Sequence, residues 1–110
     1  MNIIDIHSHM LYGIDDGARN CEMSLKLMEM DYEQGVRGIF CTNHSYGMED
    51  RYKDYHRRFE KLQRAIEDKY PGLNLYKGCE VLCYKEEMDD IISNVRNDVF
   101  PTMNGTSGLL

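Results

Sequence analysis

The sequence predicts an α/β domain in which three parallel strands alternate with helices, in the order β-α-β-α-β-α. Three short apolar segments, at residues 2–6, 38–42 and 73–78, have the length and composition of strands. Segments with helical spacing of apolar residues follow each of them. Because strands that are joined by crossover helices run parallel, with right-handed connections, we expect one parallel sheet. The 110 residues are enough for one domain at most.

Each predicted strand ends at polar residues. The first, Asn2 to Ile6, is expected to be short and buried. The second, Gly38 to Thr42, is continuously apolar, as buried parallel strands are. The third follows the break at Pro71-Gly72 and runs to Gly78.

The first helix is predicted to begin after Asn20, a suitable N-cap, with Glu22 in its first turn and Gly35 at its end. Its apolar residues, which should pack in the core, are Leu25, Leu27, Met28 and Tyr32.

A loop at 46–50 leads to the second helix, at about 50–69. Its apolar stripe is Tyr52, Tyr55, Phe59, Leu62 and Ile66. Its other faces carry basic residues, which we interpret as a solvated surface: Arg51, Lys53, Arg57, Arg58, Lys61 and Arg64. The alternative is a surface that binds a phosphorylated tail. We interpret His56 as a surface histidine. A short third helix at 85–95 should turn Met88, Ile91, Ile92 and Val95 inward, and an irregular tail covers 97–110.

Composition excludes several classes of function. The net charge of −6 argues against nucleic acids and anionic membranes as main partners. The longest apolar runs are too short for a membrane span, and the chain opens directly into a strand, so we expect no signal peptide and a cytoplasmic location.

The four cysteines, which are expected to be reduced, are Cys21, Cys41, Cys79 and Cys83. None has an arginine six residues later, which excludes a phosphatase with a cysteine nucleophile.

The strand ends carry a pattern of metal-binding side chains. His7 and His9 lie two residues apart after an apolar strand, so both side chains should face one spot. Asp15 and Asp16 follow in a glycine-flanked turn that can fold back over that spot. This mixture of nitrogen and oxygen donors, without thiolate, suits Mn, Fe or Zn.

His44 and Glu80 follow the second and third strands directly. The carboxyl ends of parallel strands meet at one edge, where active sites of parallel barrels lie. The sequence therefore predicts one divalent-metal centre at this edge, with the candidate ligands His7, His9, Asp16, His44 and Glu80.

The motif at 4–17, Ile-Asp-Ile-His-Ser-His-Met-Leu-Tyr-Gly-Ile-Asp-Asp-Gly, resembles the opening of bacterial tyrosine-protein phosphatases of the polymerase-and-histidinol-phosphatase (PHP) superfamily. These are the metal-dependent enzymes of capsule and exopolysaccharide loci. The resemblance continues through residues 34–39, Thr42 and His44, residues 77–81 and residues 101–104. It covers nearly all of the chain, with mild departures at Tyr12 and Asn43.

The resemblance implies that residues 1–110 are a partial PHP domain, the N-terminal portion of a distorted TIM-like (β/α)7 barrel that is truncated after its third βα unit. It implies divalent metals, usually Mn²⁺, on His7, His9, Asp16, His44 and Glu80, with Asp15 as the less favoured aspartate. The implied reaction is hydrolysis of phosphotyrosine by metal-activated water, and the implied substrate is a bacterial tyrosine autokinase.

Members of this family are longer, and they bring further ligands from later strands. Three strands alone leave an unpaired sheet edge, so we expect this chain to self-associate or to swap elements between copies. Two other functions stay open. One is a different phosphoesterase of the PHP or amidohydrolase type, and the other is a catalytically incomplete metal-binding remnant.

Overall fold

The computed structural model describes residues 2–45, 48–81, 84–97, 99–100 and 102–105, without the side chains of 48–52. Its elements are β1 (Ile3–Ser8), α1 (Cys21–Glu33), β2 (Val36–Cys41), α2 (Met48–Glu67), β3 (Asn74–Lys77) and α3 (Met88–Arg96), with single 3-10 turns at Lys85–Glu87 and Met103–Gly105. The predicted order of elements is confirmed, with bounds that shift by a few residues.

The three strands form one parallel sheet in the order β1-β2-β3. Asp5 pairs with Ile39 across the first ladder, and Ile39 pairs with Leu75 across the second. The central strand β2 is the most buried of the three. The sheet confirms the predicted α/β class with parallel strands.

Helix α2 covers the sheet through the predicted apolar stripe, whose described members Tyr55, Phe59, Leu62 and Ile66 are all buried. Tyr52 lies outside the described side chains. The basic face is solvated at Arg57 and Arg64, which are exposed and pair with Asp54 and Glu60 of the same helix. Arg58 is half-buried instead and donates to the carbonyl of Gly13 at 2.7 Å. His56 is partly buried against Tyr55 instead of lying on the surface, because its position borders the apolar stripe.

Helix α1 begins and ends as predicted. The side chain of Asn20 accepts a hydrogen bond from the backbone N–H of Met23 at 2.9 Å. Gly35 follows the helix with φ of 95°, a left-handed conformation that favours glycine. Met28 is buried, and Leu25, Leu27 and Tyr32 pack against the core.

Two burial predictions are wrong. β1 is not buried, since Ile4 and Ile6 are each 58% exposed, because β1 forms an edge of the sheet. In α3, Ile91 is buried and Val95 packs against the core, but Met88 and Ile92 are exposed. The apolar face of α3 is therefore narrower than its sequence predicted.

Other predictions are tested only in part. Cys41 and Cys79 are buried free thiols and Cys21 is half-buried, whereas Cys83 lies outside the described residues. The predicted loop at 46–50 is shortened by α2, which begins at Met48, and residues 46 and 47 lie outside the described part. In the predicted tail, Phe100 is buried, while Pro101 and residues 106–110 also lie outside it. No helix in the described part of the chain has the length and apolar character that a membrane span needs.

Candidate metal centre

The carboxyl ends of β2 and β3 stay paired beyond the regular ladder. His44 and Glu80 form a parallel bridge, in which the N–H of Ser45 donates to the carbonyl of Glu80 at 2.8 Å. The N–H of Glu80 in turn donates to the carbonyl of Asn43 at 3.0 Å. This extra pairing places a histidine and a glutamate side by side after their strands have ended.

Glu80 lies among the three strand-end histidines. Its Oε2 atom is 2.7 Å from Nε2 of His9, 3.2 Å from Nδ1 of His44 and 3.8 Å from Nε2 of His7. The ring of His9 stacks edge-on against both other rings, with centroids 5.3 Å from His7 and 4.4 Å from His44. The structure thus brings together predicted candidates from all three strands.

Asp16 completes the group from the turn after β1. Its Oδ1 lies 3.6 Å from Nδ1 of His9 and 3.6 Å from Nε2 of His44. The turn is tight at Gly17, where an added Cβ would come within 2.3 Å of the carbonyl oxygen of His9. Glycine at this position therefore lets the turn fold back over the strand end.

Asp15 has a different environment from Asp16. Its side chain is fully buried and accepts hydrogen bonds from the N–H of Gly17 at 2.9 Å, the N–H of His44 at 2.8 Å and the amide of Asn43 at 3.1 Å. Its Oδ2 is also 3.3 Å from Nδ1 of His9. These contacts tie the turn after β1 to the end of β2.

Two sets of ligand atoms are close enough to hold metal ions. One consists of His9, Asp15, Asp16 and His44, and the other of His7, His9 and Glu80. In each set the ligand atoms lie within 4.8 Å of one another. Imidazole nitrogens with carboxylate oxygens are donors that suit Mn, Fe or Zn, so the residues fit a divalent metal.

The neighbouring thiols do not join this donor set. Cys79 precedes Glu80, and Cys41 ends β2. Burial, followed by the nearby carboxylates Glu80 and Asp15, raises the pKa of the Cys79 thiol to about 12. Burial, with a smaller effect of Asp5, raises the pKa of Cys41 to about 12. Neither thiol belongs to the two groups of close ligand atoms found among the described residues.

Sequence reasoning missed the residues that support the candidate ligands. The buried hydroxyl of Tyr55 donates to the carbonyls of Cys41 at 2.9 Å and Gly78 at 3.0 Å, and it accepts from the N–H of Gly78. It therefore joins the ends of β2 and β3 just before His44 and Glu80. Tyr55 falls within an apolar helical stripe, and nothing in the sequence marks its hydroxyl as different from a core aromatic.

An open cavity of about 300 Å³ adjoins His9 and Asp16. Its other walls are mainly apolar and come from Met10 and from α1, through Met23 and Leu27. The candidate metal centre therefore borders a space that is wide enough for a side chain and is apolar on its far side.

Comparison with known proteins identifies the family. Residues 3–110 match the family described as capsular polysaccharide synthesis, CpsB/CapC. The chain belongs to the CpsB/CapC family. It is 35% identical over 106 residues to the tyrosine-protein phosphatase CpsB of Streptococcus agalactiae serotype V, a match that covers 94% of this chain and 42% of that protein.

Two other CpsB/CapC proteins show the same pattern. CapC of Staphylococcus aureus is 30% identical over 115 residues, which cover 98% of this chain and 42% of CapC. The tyrosine-protein phosphatase CpsB of Streptococcus pneumoniae is 48% identical over 42 residues, or 38% of this chain and 17% of that protein. The present chain thus spans less than half the length of these relatives.

Proposed function

We propose that this chain is the metal-binding N-terminal part of a tyrosine-protein phosphatase of capsule or exopolysaccharide synthesis. The observation that carries the proposal is the convergence of His7, His9, His44 and Glu80 at the ends of all three strands, with Asp16 beside them. Relatives from the same family are named tyrosine-protein phosphatases. The proposed ligands are these five residues, and the proposed metal is Mn²⁺, with Fe or Zn as alternatives.

The five side chains would hold divalent cations and keep them at the open edge of the sheet. A cation bound there would stabilise charge on the phosphoryl oxygens and lower the pKa of a bound water to near neutrality. Glu80, which faces three imidazoles, supplies the negative charge that keeps cations at this point. His9 and His44 are only about one-fifth exposed, so their rings are held in place before ligand binding.

A phosphotyrosine residue suits the space beside the centre. The cavity next to His9 and Asp16 offers apolar contacts from Met10, Met23 and Leu27 to an aromatic ring. A phosphate attached to that ring would then lie toward the polar side, where the histidines are. We therefore propose a phosphotyrosine protein as substrate, and specifically a bacterial tyrosine autokinase of the same pathway.

Three further proposals concern the whole protein. The parallel β-α-β-α-β-α arrangement supports residues 1–110 as part of a distorted (β/α)7 PHP barrel, with residues 97–110 as an irregular end. A cytoplasmic location stays a prediction. The exposed isoleucines of the edge strand β1 support self-association of the 110-residue chain, and a monomer at all concentrations in light scattering would contradict that proposal.

The function is tested by hydrolysis of a phosphotyrosine peptide, with added Mn²⁺ and with a chelator, beside a His9→Ala variant. We expect turnover that requires metal and disappears in the variant. Turnover that survives chelation would contradict the proposal. Faster hydrolysis of a sugar phosphate than of the peptide would favour the other phosphoesterases.

The second candidate function is a catalytically incomplete metal-binding segment; the chain spans 42% of the length of the CpsB relative. Metal binding without turnover would identify this chain as a metal-binding segment that needs residues from elsewhere. Addition of Mn²⁺ to the chain, followed by equilibrium dialysis and the peptide assay on the same sample, separates these two functions.

A further inference from the structure

The two adjacent aspartates of the turn after β1 have opposite surroundings. The side chain of Asp16 is 75% exposed, and it approaches two histidines at 3.6 Å. The side chain of Asp15 is 0% exposed. The distances between ligand atoms do not distinguish them, because both aspartates lie within 4.8 Å of the ligand atoms of His9 and His44. The hydrogen bonds distinguish them.

The carboxylate of Asp15 is engaged on both of its oxygens. A carboxylate offers about four lone-pair sites. The Oδ1 atom of Asp15 accepts from Gly17 and Asn43, and its Oδ2 accepts from the N–H of His44 and contacts Nδ1 of His9. Three N–H donors therefore occupy three of its sites, and the fourth faces the ring of His9. A metal on Asp15 would compete with these donors and with His9, and a displaced N–H would stay buried without an acceptor.

We propose that Asp15 is a positioning residue, which orients His9 and His44 without ligating metal, so that His9 ligates through Nε2. This inference rests on the metal centre of the proposed function. Metal-binding histidines generally donate their other ring N–H to a carboxylate or carbonyl, which fixes the ring and its tautomer. Asp15 lies on the Nδ1 side of His9, whereas Glu80 lies on the Nε2 side.

His7 has the same surroundings as His9, with a polar group at Nδ1 and Glu80 on the Nε2 side. Its Nδ1 lies 3.1 Å from Oγ1 of the buried Thr42, and its Nε2 faces Glu80. Oγ1 of Thr42 also accepts from the N–H of Ser8 at 2.9 Å and donates to the carbonyl of Ser8 at 3.2 Å. Because the single hydroxyl proton of Thr42 is donated to that carbonyl, its oxygen accepts from His7 Nδ1–H. Both histidines then present Nε2 toward Glu80, and each has a supporting group behind Nδ1.

Co²⁺ binding to the full 110-residue chain, followed by its visible absorption spectrum, separates a ligand from a positioning residue. We compare Asp15→Asn with Asp16→Asn, after circular dichroism has shown that each variant is folded. Asp15→Asn should retain the wild-type spectrum and bind Co²⁺ about 10- to 100-fold more weakly, as changes behind a ligand do. Asp16→Asn should change the spectrum, because it removes a ligand. The same spectral change in both variants would overturn the proposal.

Nitrogen-15 NMR of the Zn²⁺-loaded wild-type chain shows which ring nitrogen of each histidine binds the metal. This measurement does not depend on the folding of a variant. We expect His9 to carry its proton on Nδ1 and the metal on Nε2. Metal on Nδ1 of His9 would overturn the role of Asp15 and leave the proposed phosphatase function intact. If the wild-type chain binds neither Co²⁺ nor Zn²⁺, the metal centre itself is wrong and this inference fails with it.

Discussion

Glu80 Oε2 lies 2.7 Å from His9 Nε2, although 71 residues separate the two in the chain. This contact exists because β1 and β3 flank β2 in a parallel sheet and end at the same edge. His9 therefore lies between Glu80 on its Nε2 side and the turn of Asp15 and Asp16 on its Nδ1 side.

Replacing Glu80 by glutamine should weaken divalent-metal binding by more than about 100-fold, since even groups behind the ligands contribute about 10- to 100-fold. The substitution keeps the shape of the side chain but removes the charge that faces three imidazoles. Isothermal titration with Mn²⁺ measures the change. Glu86→Gln, at an exposed glutamate of the 3-10 turn before α3, is the control and should bind as the wild type does. Equal affinity of the two variants would remove Glu80 from the ligand set.

Gly17→Ala should disturb the candidate metal centre through its backbone. The added Cβ would lie 2.3 Å from the carbonyl oxygen and 2.6 Å from Cβ of His9, so the strand end or the turn must move. We expect Mn²⁺ affinity to fall by about tenfold or more, as for other changes behind the ligands. Gly72→Ala has nothing within 4 Å of its added Cβ, but its φ of +83° is strained. It should lose about 1–2 kcal/mol of stability and keep its metal affinity. Unchanged affinity in Gly17→Ala would contradict this account.

Tyr55→Phe should lower the free energy of unfolding by about 1–3 kcal/mol, because it leaves buried backbone groups of β2 and β3 without their partner. Urea unfolding measures this difference. Tyr32→Phe removes a hydrogen bond to Pro71 that lies at the surface, and it should cost less than about 0.5 kcal/mol. Similar costs for the two variants would show that the Tyr55 hydroxyl does not join the strand ends.

The core thiols predict a loss of stability at alkaline pH. The pKa values of Cys41 and Cys79 are raised to about 12 by burial, so both thiols stay protonated in the folded state after the unfolded chain has begun to ionise. Their contribution is complete below the unfolded pKa of about 9 and is lost as the pH rises toward 12. The free energy of unfolding should fall by up to about 1.4 kcal/mol per pH unit for each thiol.

Urea unfolding in reducing buffer between pH 8 and about pH 9.5, below the ordinary pKa of tyrosine and lysine, measures this slope. Cys79→Ala should show a shallower slope, because it retains only one of the two buried thiols. A stability that does not change with pH in this range would contradict the assignment of both thiols as buried and protonated.

The cavity beside His9 and Asp16 predicts a change in substrate binding. Met23→Glu places a negative charge in its wall and should raise KM for a phosphotyrosine peptide by about tenfold, since a like-charge contact near a surface costs on the order of 1–4 kcal/mol. Met30→Glu changes a similarly exposed methionine of the same helix that does not line the cavity. It should leave KM unchanged. Equal effects of the two substitutions would show that the peptide does not use this cavity.

Sequence patterns predicted the order of elements and the meeting of the strand ends, because both follow from local periodicity and from parallel topology. The cap at Asn20 and the left-handed Gly35 are likewise local. The exposure of Ile4 and Ile6 was missed, because an apolar edge strand and an apolar central strand look alike in sequence. Burial at a sheet edge depends on what packs beside it.

The sequence also did not predict which residues hydrogen-bond to the candidate ligands and hold them in place. Asp15 and Asp16 are adjacent and chemically identical, and only the fold buries one beneath His44 while exposing the other. Thr42 is part of the family resemblance and Asn43 departs from it, but the sequence predicted no contact for either side chain. Their contacts reach back to His7 and Leu11, across more than thirty residues, which local patterns do not encode.

The most direct test of the account is equilibrium binding of Mn²⁺ to the wild-type chain and to two histidine variants. His44→Ala removes a strand-end histidine, whereas His56→Ala removes the histidine in the middle of α2. We predict that the wild type and His56→Ala bind Mn²⁺ alike and that His44→Ala binds it more than about 100-fold more weakly. Equal affinity in all three proteins, or no binding to the wild type, would contradict a metal centre at the strand ends.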